Sequence, residues 1–471
     1  MPKNVMEQLI PFFQPKSVAV IGASRNPTKS GYVVLENFVK FGFKGRVYPI
    51  NPEADEILGV KAYPSVKEVP DEIDLAVIVL SALAVPKVML DCAEKHVKCA
   101  VIISGGFGEV GEEGTKRERE VKEIIQKSGI RVIGPNCMGV VDTATKVNTM
   151  FLPAQHFSRP EKGNIGFISQ SGAFGLTMID YLAGEGIGIS KFASYGNKID
   201  VDESELLKYF SQDPETKVIL MYIEAIDDGK KFIEVAKKVT KLKPVIGLKA
   251  GRTAAGSKAV ISHTGALSGA FSIYKGAFSQ AGIIPADTVQ ELVDIGKAFS
   301  YQPYAKGNRT AIITGGGGYG VLASDACETM GLQVASLGDT TIKNMRMSFP
   351  PHYVVINPVD LTGDASEGDY KTALALTLED QNVDGVIMII LFQVPRLEET
   401  IIDAISETTH RLHDKPVIVS SIGGEHTKKM VRKMEARKIP VYPTPERAVK
   451  VMAALVEYGK YVSETTLSAL K

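Results

Sequence analysis

Short runs rich in valine and isoleucine recur along the chain, and amphipathic segments of helical length separate them. Apolar runs of this length are typical of strands buried on both faces, and their alternation with helices indicates parallel, doubly wound α/β sheets. The runs form three series: residues 17–23, 74–80, 99–105 and 131–136; residues 163–170, 217–224 and 244–250; and residues 310–316, 384–391, 415–424 and 439–442. The pattern therefore predicts three α/β domains.

Two connectors with turn-forming residues, 149–163 and 301–309, separate the series. We therefore expect domains over residues 1–148, 160–300 and 306–471. The length of 471 residues agrees with this number of domains, since a domain has roughly 150 residues.

Composition excludes several classes of protein. Lys plus Arg number 54 and Asp plus Glu number 54, so we expect neither a nucleic-acid partner nor an anionic membrane surface. The N-terminus lacks the apolar core of a signal peptide, and no run approaches the ~18 apolar residues of a membrane span. Four cysteines without a CxxC pair or a Cys/His cluster indicate no disulfide framework and no metal site. The prediction is a reduced, cytoplasmic protein.

A glycine turn follows the first strand and opens a helical segment. Such a turn lets backbone N–H groups and a helix N-terminus meet a phosphate. The residues assigned to this ligand are Gly22, Ala23, Ser24, Lys29 and Gly31. The motif GASRNPTKSG is not GxGxxG, and Asn51 stands where an NAD site places an acid, so another nucleotide-like ligand fits better. A tight turn without a ligand is the alternative.

Two further turns follow later strands of the same series and predict more of this crevice. The residues assigned to the ligand here are Ser104, Gly105, Gly106, Phe107, Asn136 and Cys137. Cys137 is a possible nucleophile, but no His/Asn arrangement accompanies it. A small structural residue beside a turn is the better interpretation.

One of the seven histidines, His263, lies among small residues, in GRTAAGSKAVISHTGALSGA (251–270). Such a stretch lacks the bulk of a core segment and has glycines that permit movement. A functional histidine and an ordinary exposed loop histidine are both compatible with this setting.

Two neighbouring features favour a functional histidine. Ser171, Gly172 and Ala173 follow a strand and open a helix, which predicts an anion site. Glu224 ends the next strand, where a carboxylate can accept the Nδ1 proton of a histidine and leave Nε2 nucleophilic. A transient phosphohistidine requires a nucleophile, an acid that orients it and a phosphate site, and these three features would supply them. The alternative for Glu224 is a solvated strand end.

The third series contains a formal GxGxxG at Gly315–Gly320, which alone is a weak dinucleotide signal and equally suits a helix start that approaches a phosphate. Asn357 begins a second polar turn, NPVDLTG, and is assigned to phosphate or substrate. A simple loop would also contain the Asn-Pro pair.

These motifs resemble those of NDP-forming acyl-CoA synthetases (acetate–CoA ligase, ADP-forming), α subunit, in the succinyl-CoA synthetase superfamily. The resemblance covers the whole chain through GASRNPTKSG, SGGFGE and GPNCMG, then SQSGAFG and SHTGALSG, then TGGGGYG and NPVDLTGD. It implies a Rossmann-like CoA-binding domain followed by two flavodoxin-like ligase domains.

The resemblance also implies site roles. His263 would carry the phosphate and Glu224 would orient it, with Ser171 and Gly172 heading a phosphate-facing helix. Gln393, Val394 and Pro395 stand where succinyl-CoA synthetase has a second, glycine-rich helix start. Asn51-Pro52-Glu53 replaces its lysine after the second strand.

The implied reaction converts acyl-CoA, ADP and phosphate reversibly to acid, CoA and ATP, through an acyl phosphate and phosphohistidine. The family places ADP/ATP and Mg²⁺ on an ATP-grasp module, and three assigned domains leave no room for one. The resemblance therefore implies a separate ATP-grasp β subunit, in an α₂β₂ assembly.

A non-catalytic CoA-binding or sensing protein of the same fold is the alternative function. Acyl specificity (acetyl, branched-chain or arylacetyl), ADP or GDP preference, and the physiological direction have no signal in the sequence.

Overall fold

The computed structural model describes residues 5–153, 155–264 and 271–469, without the side chains of 261–264 and 466–469. The chain divides into two compact units, Met1–Asp287 and Thr288–Lys471. In the described ranges, no helix is long and apolar enough to cross a membrane.

The first unit begins with a five-stranded parallel sheet in the order β2-β1-β5-β6-β7. Its strands are β1 (Ser17–Ile21), β2 (Arg46–Ile50), β5 (Leu75–Ile78), β6 (Cys99–Ile102) and β7 (Arg131–Ile133), with a small hairpin of β3 (Glu56–Ile57) and β4 (Val60–Lys61). Its helices are α1 (Val5–Phe13), α2 (Ser30–Lys40), α3 (Val85–Glu94) and α4 (Glu112–Ser128). Strand order reverses between β1 and β5, which is where a doubly wound sheet binds its ligand.

A second, seven-stranded sheet completes this unit in the order β14-β13-β12-β10-β11-β8-β9. Its strands are β8 (Gly139–Asp142), β9 (Val147–Asn148), β10 (Lys162–Ser169), β11 (Ile189–Ser194), β12 (Val218–Ile223), β13 (Val245–Lys249) and β14 (Ile284–Ala286). Its helices are α5 (Gly172–Gly184), α6 (Glu203–Gln212), α7 (Gly229–Val239), α8 (Ala254–Thr264) and α9 (Phe271–Ala281). Strands β10 to β14 are parallel, whereas β8 and β9 form an antiparallel edge.

A buried cluster of charged side chains stabilises this antiparallel edge of the sheet. Lys191 Nζ on β11 lies 3.0 Å from an Asp142 oxygen on β8 and 2.9 Å from an Asp213 oxygen. Two carboxylates around one ammonium compensate the cost of removing all three charges from water. The β8–β9 hairpin therefore belongs to the second sheet, although it lies within residues 1–148.

The second unit has one parallel sheet in the order β16-β15-β18-β19-β20, with β17 also pairing with β15. Its strands are β15 (Arg309–Thr314), β16 (Gln333–Val334), β17 (Val359–Asp360), β18 (Gly385–Ile389), β19 (Val417–Ser420) and β20 (Val441–Tyr442). Its helices are α10 (Val289–Tyr301), α11 (Gly317–Thr329), α12 (Asp339–Ser348), α13 (Glu367–Glu379), α14 (Thr400–Arg411), α15 (Glu425–Ala436) and α16 (Pro445–Ala469).

Helix α10 packs against α16 in this second unit. The Arg447 guanidinium donates to both Asp294 carboxylate oxygens, each at 2.7 Å, and Lys297 pairs with Glu435 at 2.6 Å.

The predicted α/β class is confirmed. The central strands β1, β5, β6, β13 and β18 are buried along their whole length. Helices cover both faces of a parallel sheet, so a central strand has no solvent-facing side. The sequence of such a strand is therefore a continuous apolar run.

Candidate active site

A crevice of about 900 Å³ opens at the switch point of the first sheet. Six residues assigned from the sequence line it: Gly22, Ala23, Ser24, Lys29, Gly31 and Ser104. The carboxyl ends of β1, β2 and β5 contribute to its floor, as expected for a ligand crevice in a doubly wound sheet. The predicted crevice therefore exists at the predicted turn.

Close backbone approach explains the glycines of this turn. Gly22 has φ +91°, and a Cβ there would lie 2.3 Å from the Val79 carbonyl oxygen. A Cβ on Gly31 would lie 1.9 Å from the Gly22 carbonyl oxygen. Asn51 Nδ2 donates to the Ala23 carbonyl at 2.8 Å, so Asn51 holds the turn in place.

The start of α2 faces this crevice without a side-chain cap. Lys29 is the N-cap residue, and its side chain makes no capping hydrogen bond. Since the first N–H groups of a helix have no intrahelical acceptor, this end attracts an anion. The exposed Lys29 ammonium adds a positive charge at the rim.

Helix α3 and Ser65, which precedes the 3₁₀ turn Val66–Glu68, supply lining residues that sequence reasoning missed. Ser65, Lys87 and Asp91 all line the crevice, and Asp91 pairs with Lys67 at 3.0 Å. No motif marks them, because α3 has the pattern of an ordinary amphipathic helix.

The turn after β6 differs from the first. Glu109 accepts hydrogen bonds from the Gly106 and Phe107 N–H groups and, at 2.7 Å, from Asn197 Nδ2. Burial would raise the pKa of Glu109, but these hydrogen bonds lower it overall. Glu118 accepts from the Gly108 N–H at 3.1 Å. Carboxylates of the chain itself therefore bind the N–H groups of this turn.

Of the residues predicted from this second turn, one lines the crevice and three do not. Ser104 lines the 900 Å³ crevice, and its hydroxyl donates to the Leu80 carbonyl at 2.6 Å. Gly105, Gly106 and Phe107 line neither of the two cavities described here. The Phe107 ring is fully buried in the core of the first sheet.

A smaller cavity of about 260 Å³ lies where the two sheets of the first unit meet. Asn136, Cys137, Ser171, Gly172, Ala173 and Glu224, all assigned from the sequence, line it. Burial raises the pKa of the Cys137 thiol to about 12. Because that thiol is protonated at neutral pH, the structural interpretation is favoured over a nucleophile.

Helix α5 begins at the wall of this smaller cavity. Ser171 is its N-cap, and the Ser171 hydroxyl accepts a hydrogen bond from the Phe174 N–H at 3.3 Å. The preceding N–H groups of Gly172 and Ala173 lie in the first turn of the helix, and the anion site expected at this helix start stays a prediction. A Cβ on Gly172 would lie 2.9 Å from Met138 Cγ, so a glycine lets the 134–139 turn approach.

Glu224 is buried, with 4% of its surface exposed, so it is not a solvated strand end. Gln170 Oε1 accepts hydrogen bonds from the Glu224 N–H at 2.8 Å and the Ala225 N–H at 2.9 Å. Burial raises the pKa of Tyr222, and the charge of Glu224 with its hydrogen bond raises it further. By accepting these two backbone N–H groups, Gln170 holds Glu224 beside the start of α5.

A buried lysine, Lys249, ends the neighbouring strand β13. Its Nζ lies 4.4 Å from the centre of the Tyr274 ring. Burial lowers the pKa of Lys249 to about 8, although the negative charge of Glu224 acts in the opposite direction.

His263 lies in helix α8, and its side chain is outside the described residues, as are residues 265–270. Helix α8 lies against the 3₁₀ turn Gly108–Val110, so the histidine-bearing helix contacts the turn that follows β6. The distance between His263 and Glu224 stays a prediction.

In the second unit, the Asn357 side chain is occupied by backbone groups. Its Nδ2 donates to the Thr310 and Ala335 carbonyls, both at 2.9 Å, and its Oδ1 accepts from the Ile312 N–H at 2.8 Å. These three hydrogen bonds give the Asn357 side chain a structural role that needs no ligand. The four-glycine run opens α11 at Gly317, as the sequence indicates.

Residues 393–395 lie in an irregular turn, and the next helix, α14, begins only at Thr400. Gln393 Nε2 donates to the Ile422 carbonyl at 2.8 Å. Within the described ranges, no group of three or more His, Cys, Asp or Glu side chains is placed to hold a metal ion.

Three known domain families match consecutive parts of the chain. Residues 16–143 match the CoA binding domain, residues 162–299 the succinyl-CoA ligase like flavodoxin domain, and residues 310–465 the ligase-CoA domain.

Relatives match over nearly the whole chain. The α subunit of acetate–CoA ligase [ADP-forming] II from Pyrococcus furiosus is 44% identical, over 96% of this chain and 98% of that protein. Acetate–CoA ligase [ADP-forming] I from Archaeoglobus fulgidus is 41% identical over 97% of this chain but only 64% of its own length.

A solved structure is similar in fold as well. The dinucleotide-forming acetyl-coenzyme A synthetase 1 of Ca. Korarchaeum cryptofilum, in complex with phosphate and ADP, superposes with a TM-score of 0.91. Its sequence is 38% identical, over 97% of this chain and 98% of that one. The chain therefore belongs to the family of ADP-forming acetate–CoA ligases and corresponds to their α subunit.

Proposed function

We propose that this chain is the catalytic α subunit of an ADP-forming acyl-CoA synthetase. One observation carries the proposal: the crevice at the switch point and the smaller cavity share two lining residues, Ile103 and Phe151. A CoA thioester in the crevice can therefore reach a cavity walled by a helix N-terminus and a buried acid.

The first step joins the two cavities. A phosphate oxygen attacks the thioester carbonyl carbon, and the C–S bond breaks, so CoA leaves as the thiolate and an acyl phosphate remains. The Gly172 and Ala173 N–H groups at the start of α5 bind phosphate oxygens, and their dipoles stabilise the negative charge. The protein positions the reactants and stabilises charge in this step.

The second step transfers the phosphoryl group to His263. An imidazole nitrogen attacks phosphorus, the bond to the acyl oxygen breaks, and the carboxylate leaves. Glu224 accepts the N–H of the other ring nitrogen, which orients the ring and stabilises its positive charge. The phosphohistidine then transfers the phosphoryl group to ADP and forms ATP.

The nucleotide site is proposed to lie on a separate ATP-grasp β subunit, which also holds Mg²⁺. The Archaeoglobus relative supports this division, because about a third of its length lies outside the match. The Pyrococcus relative is named a subunit and matches over 98% of its length. We expect an α₂β₂ assembly in the cytoplasm.

Replacing His263 tests the reaction. The chain with its β subunit, acetyl-CoA and radiolabelled phosphate should form an acid-labile, alkali-stable label that His263→Asn abolishes, together with ATP synthesis. His413→Asn is the matched control, since 78% of the His413 side chain is exposed in the second unit. CoA binding without label under any condition would indicate the non-catalytic CoA-binding alternative.

Glu224→Gln keeps the shape of the side chain and removes its charge. We expect phosphorylation to slow about a hundredfold with an unchanged Kd for CoA. Glu224→Asp should recover part of the rate, because the charge returns. Wild-type phosphorylation by Glu224→Gln would remove the orienting role.

A further inference from the structure

The turn that follows β12 carries Glu224, and side chains from two other strand ends hold its backbone. Gln170, after β10, accepts the N–H groups of Glu224 and Ala225. Lys198, in the loop after β11, donates from Nζ to the Ala225 carbonyl oxygen at 2.9 Å. One side chain therefore holds the N–H groups of this turn, and a second holds its carbonyl.

The Lys198 ammonium is enclosed by acceptors, and only 6% of its side chain is exposed. Besides the Ala225 carbonyl, it has a Glu203 oxygen at 3.5 Å and an Asp227 oxygen at 3.3 Å. Three acceptors match the three N–H bonds of an ammonium. The Glu203 side chain is 3% exposed and the Asp227 side chain is 74% exposed, so Glu203 is the buried counter-ion.

The backbone of Lys198 is fixed as well. Its φ of +48° lies in the left-handed region, which is disfavoured for a residue with a Cβ. On either side of it, Asn197 and Ile199 donate their N–H groups to the carbonyls of Pro135 and Gly134, at 3.0 Å and 3.2 Å. The loop is therefore bonded to the turn that walls the smaller cavity, and the ammonium extends from a fixed base.

Position matters at Glu224 because, in the proposed reaction, its carboxylate must meet an N–H group of the His263 ring. A misplacement of about 1 Å can slow a reaction about a hundredfold. Ala225 follows Glu224 directly in the chain, so a shift of the Ala225 carbonyl shifts the acid. Lys198 lines neither of the two cavities, and its effect on the reaction must therefore pass through this turn.

We propose that Lys198 is a positioning residue for Glu224, because it fixes the turn after β12 at the place where the carboxylate meets the histidine ring. This inference rests on the proposed function and adds a residue to the same site. Loss of the Lys198 side chain should slow phosphoryl transfer to His263 and leave CoA binding unchanged.

The test uses the complex with its β subunit and measures the single-turnover rate of His263 phosphorylation from acetyl-CoA and radiolabelled phosphate. Lys198→Met keeps the length of the side chain and removes the donor. We expect a rate at least about tenfold lower, with a Kd for CoA within about twofold of the wild type. Lys198→Arg should recover part of the rate, because a guanidinium also donates to a carbonyl.

A double variant separates positioning of the acid from a general structural role. If Lys198 acts only through the Glu224 carboxylate, adding Lys198→Met to Glu224→Gln should change the rate by less than about twofold. The effects of two independent residues would instead multiply.

Removing Lys198 alone leaves the buried Glu203 without its cation, which destabilises the fold. Lys198→Met combined with Glu203→Gln removes both charges, and we expect this variant to fold and to be slowed at least about tenfold. Lys231→Met is the matched control. The Lys231 ammonium pairs with Asp202 at 2.7 Å in the same unit, so the phosphorylation rate should stay within about twofold of the wild type.

A wild-type rate in either variant that lacks the Lys198 side chain would overturn the proposal. A further loss of more than about twofold when Lys198→Met is added to Glu224→Gln would also overturn it, as would a fall in CoA affinity equal to the fall in rate. A wild-type complex that forms no labelled histidine contradicts the proposed function itself, which is a different result from an unchanged rate in the variants.

Discussion

The turns that follow β1 and β6 lie at the same edge of one parallel sheet, and both contain serine and glycine. After β1, the start of α2 has no side-chain cap and opens on the 900 Å³ crevice. After β6, Glu109 and Glu118 accept the N–H groups of residues 106–108.

The difference shows what makes a glycine turn an anion site. Oriented backbone N–H groups are necessary, yet they attract a ligand only where no carboxylate of the chain already binds them. In this protein the first turn is suited to phosphate, whereas the second stabilises the loop against which α8 lies.

The largest effect is expected from Gly31→Ala. The added Cβ would lie 1.9 Å from the Gly22 carbonyl oxygen, so α2 must move away from the turn. We expect CoA affinity to fall at least about a hundredfold and unfolding free energy to fall about 3 kcal/mol. Calorimetric titration with CoA and urea unfolding measure the two changes.

The matched control is Gly184→Ala, also near one end of a helix, where a Cβ meets nothing within 4 Å. It should leave CoA binding unchanged and alter stability by less than about 1 kcal/mol. Equal CoA affinity in the two variants would contradict the close-approach explanation.

An intermediate effect is expected from Glu109→Ala, and on stability alone. The Gly106 and Phe107 N–H groups would lose their acceptor, which should cost about 2 kcal/mol of unfolding free energy. The Kd for CoA should stay within about threefold, since this turn is filled by the chain itself. A larger change in the Kd for CoA would show that this turn does contribute to the CoA site.

This stabilisation should depend on pH. The pKa of Glu109 is lowered in the folded state, so its contribution is complete above the unfolded-state pKa of about 4.3. It is lost as the pH falls through the lower, folded-state value. The unfolding free energies of the wild type and of Glu109→Gln should therefore differ at pH 7 and converge as the pH falls below the folded-state pKa, with the exposed Glu120→Gln as the control variant.

The smallest effect is expected from Lys29→Gln at the rim of the open turn. An exposed ammonium adds less than about 1 kcal/mol to phosphate binding, so CoA affinity should fall about fivefold at low salt. Because salt screens the charge, the CoA affinities of the wild type and of Lys29→Gln should differ less at about 0.5 M NaCl. Lys44→Gln, exposed in the loop before β2, is the control, and an equal loss there would mean that Lys29 acts only through net charge.

Local sequence patterns predict several site residues. Gly22, Gly31, Ser171 and Glu224 are predicted because turn glycines, N-cap residues and strand ends each have a local pattern, and each of the four lines one of the two cavities. Phe107 shows the limit: its place in a glycine turn predicts a ligand contact, which stays a prediction, whereas nothing in the local sequence indicates that its ring is fully buried in the core.

Contacts between residues distant in sequence have no such pattern. Asn197 donates to Glu109, 88 residues away, and Gln170 holds the backbone at Glu224, 54 residues away. Asn357 is a similar case, since its polar turn is apparent in the sequence but its three backbone partners are not.

The parallel α/β architecture and the turns at which ligands are expected can be predicted from local residue patterns, because strand burial and helix starts depend on residues near one another in the chain. Folding sets which turns are open to a ligand, buries Glu224, and places Ile103 and Phe151 in the lining of both cavities. These properties depend on which distant side chain reaches a given backbone group, and only folding brings those groups together.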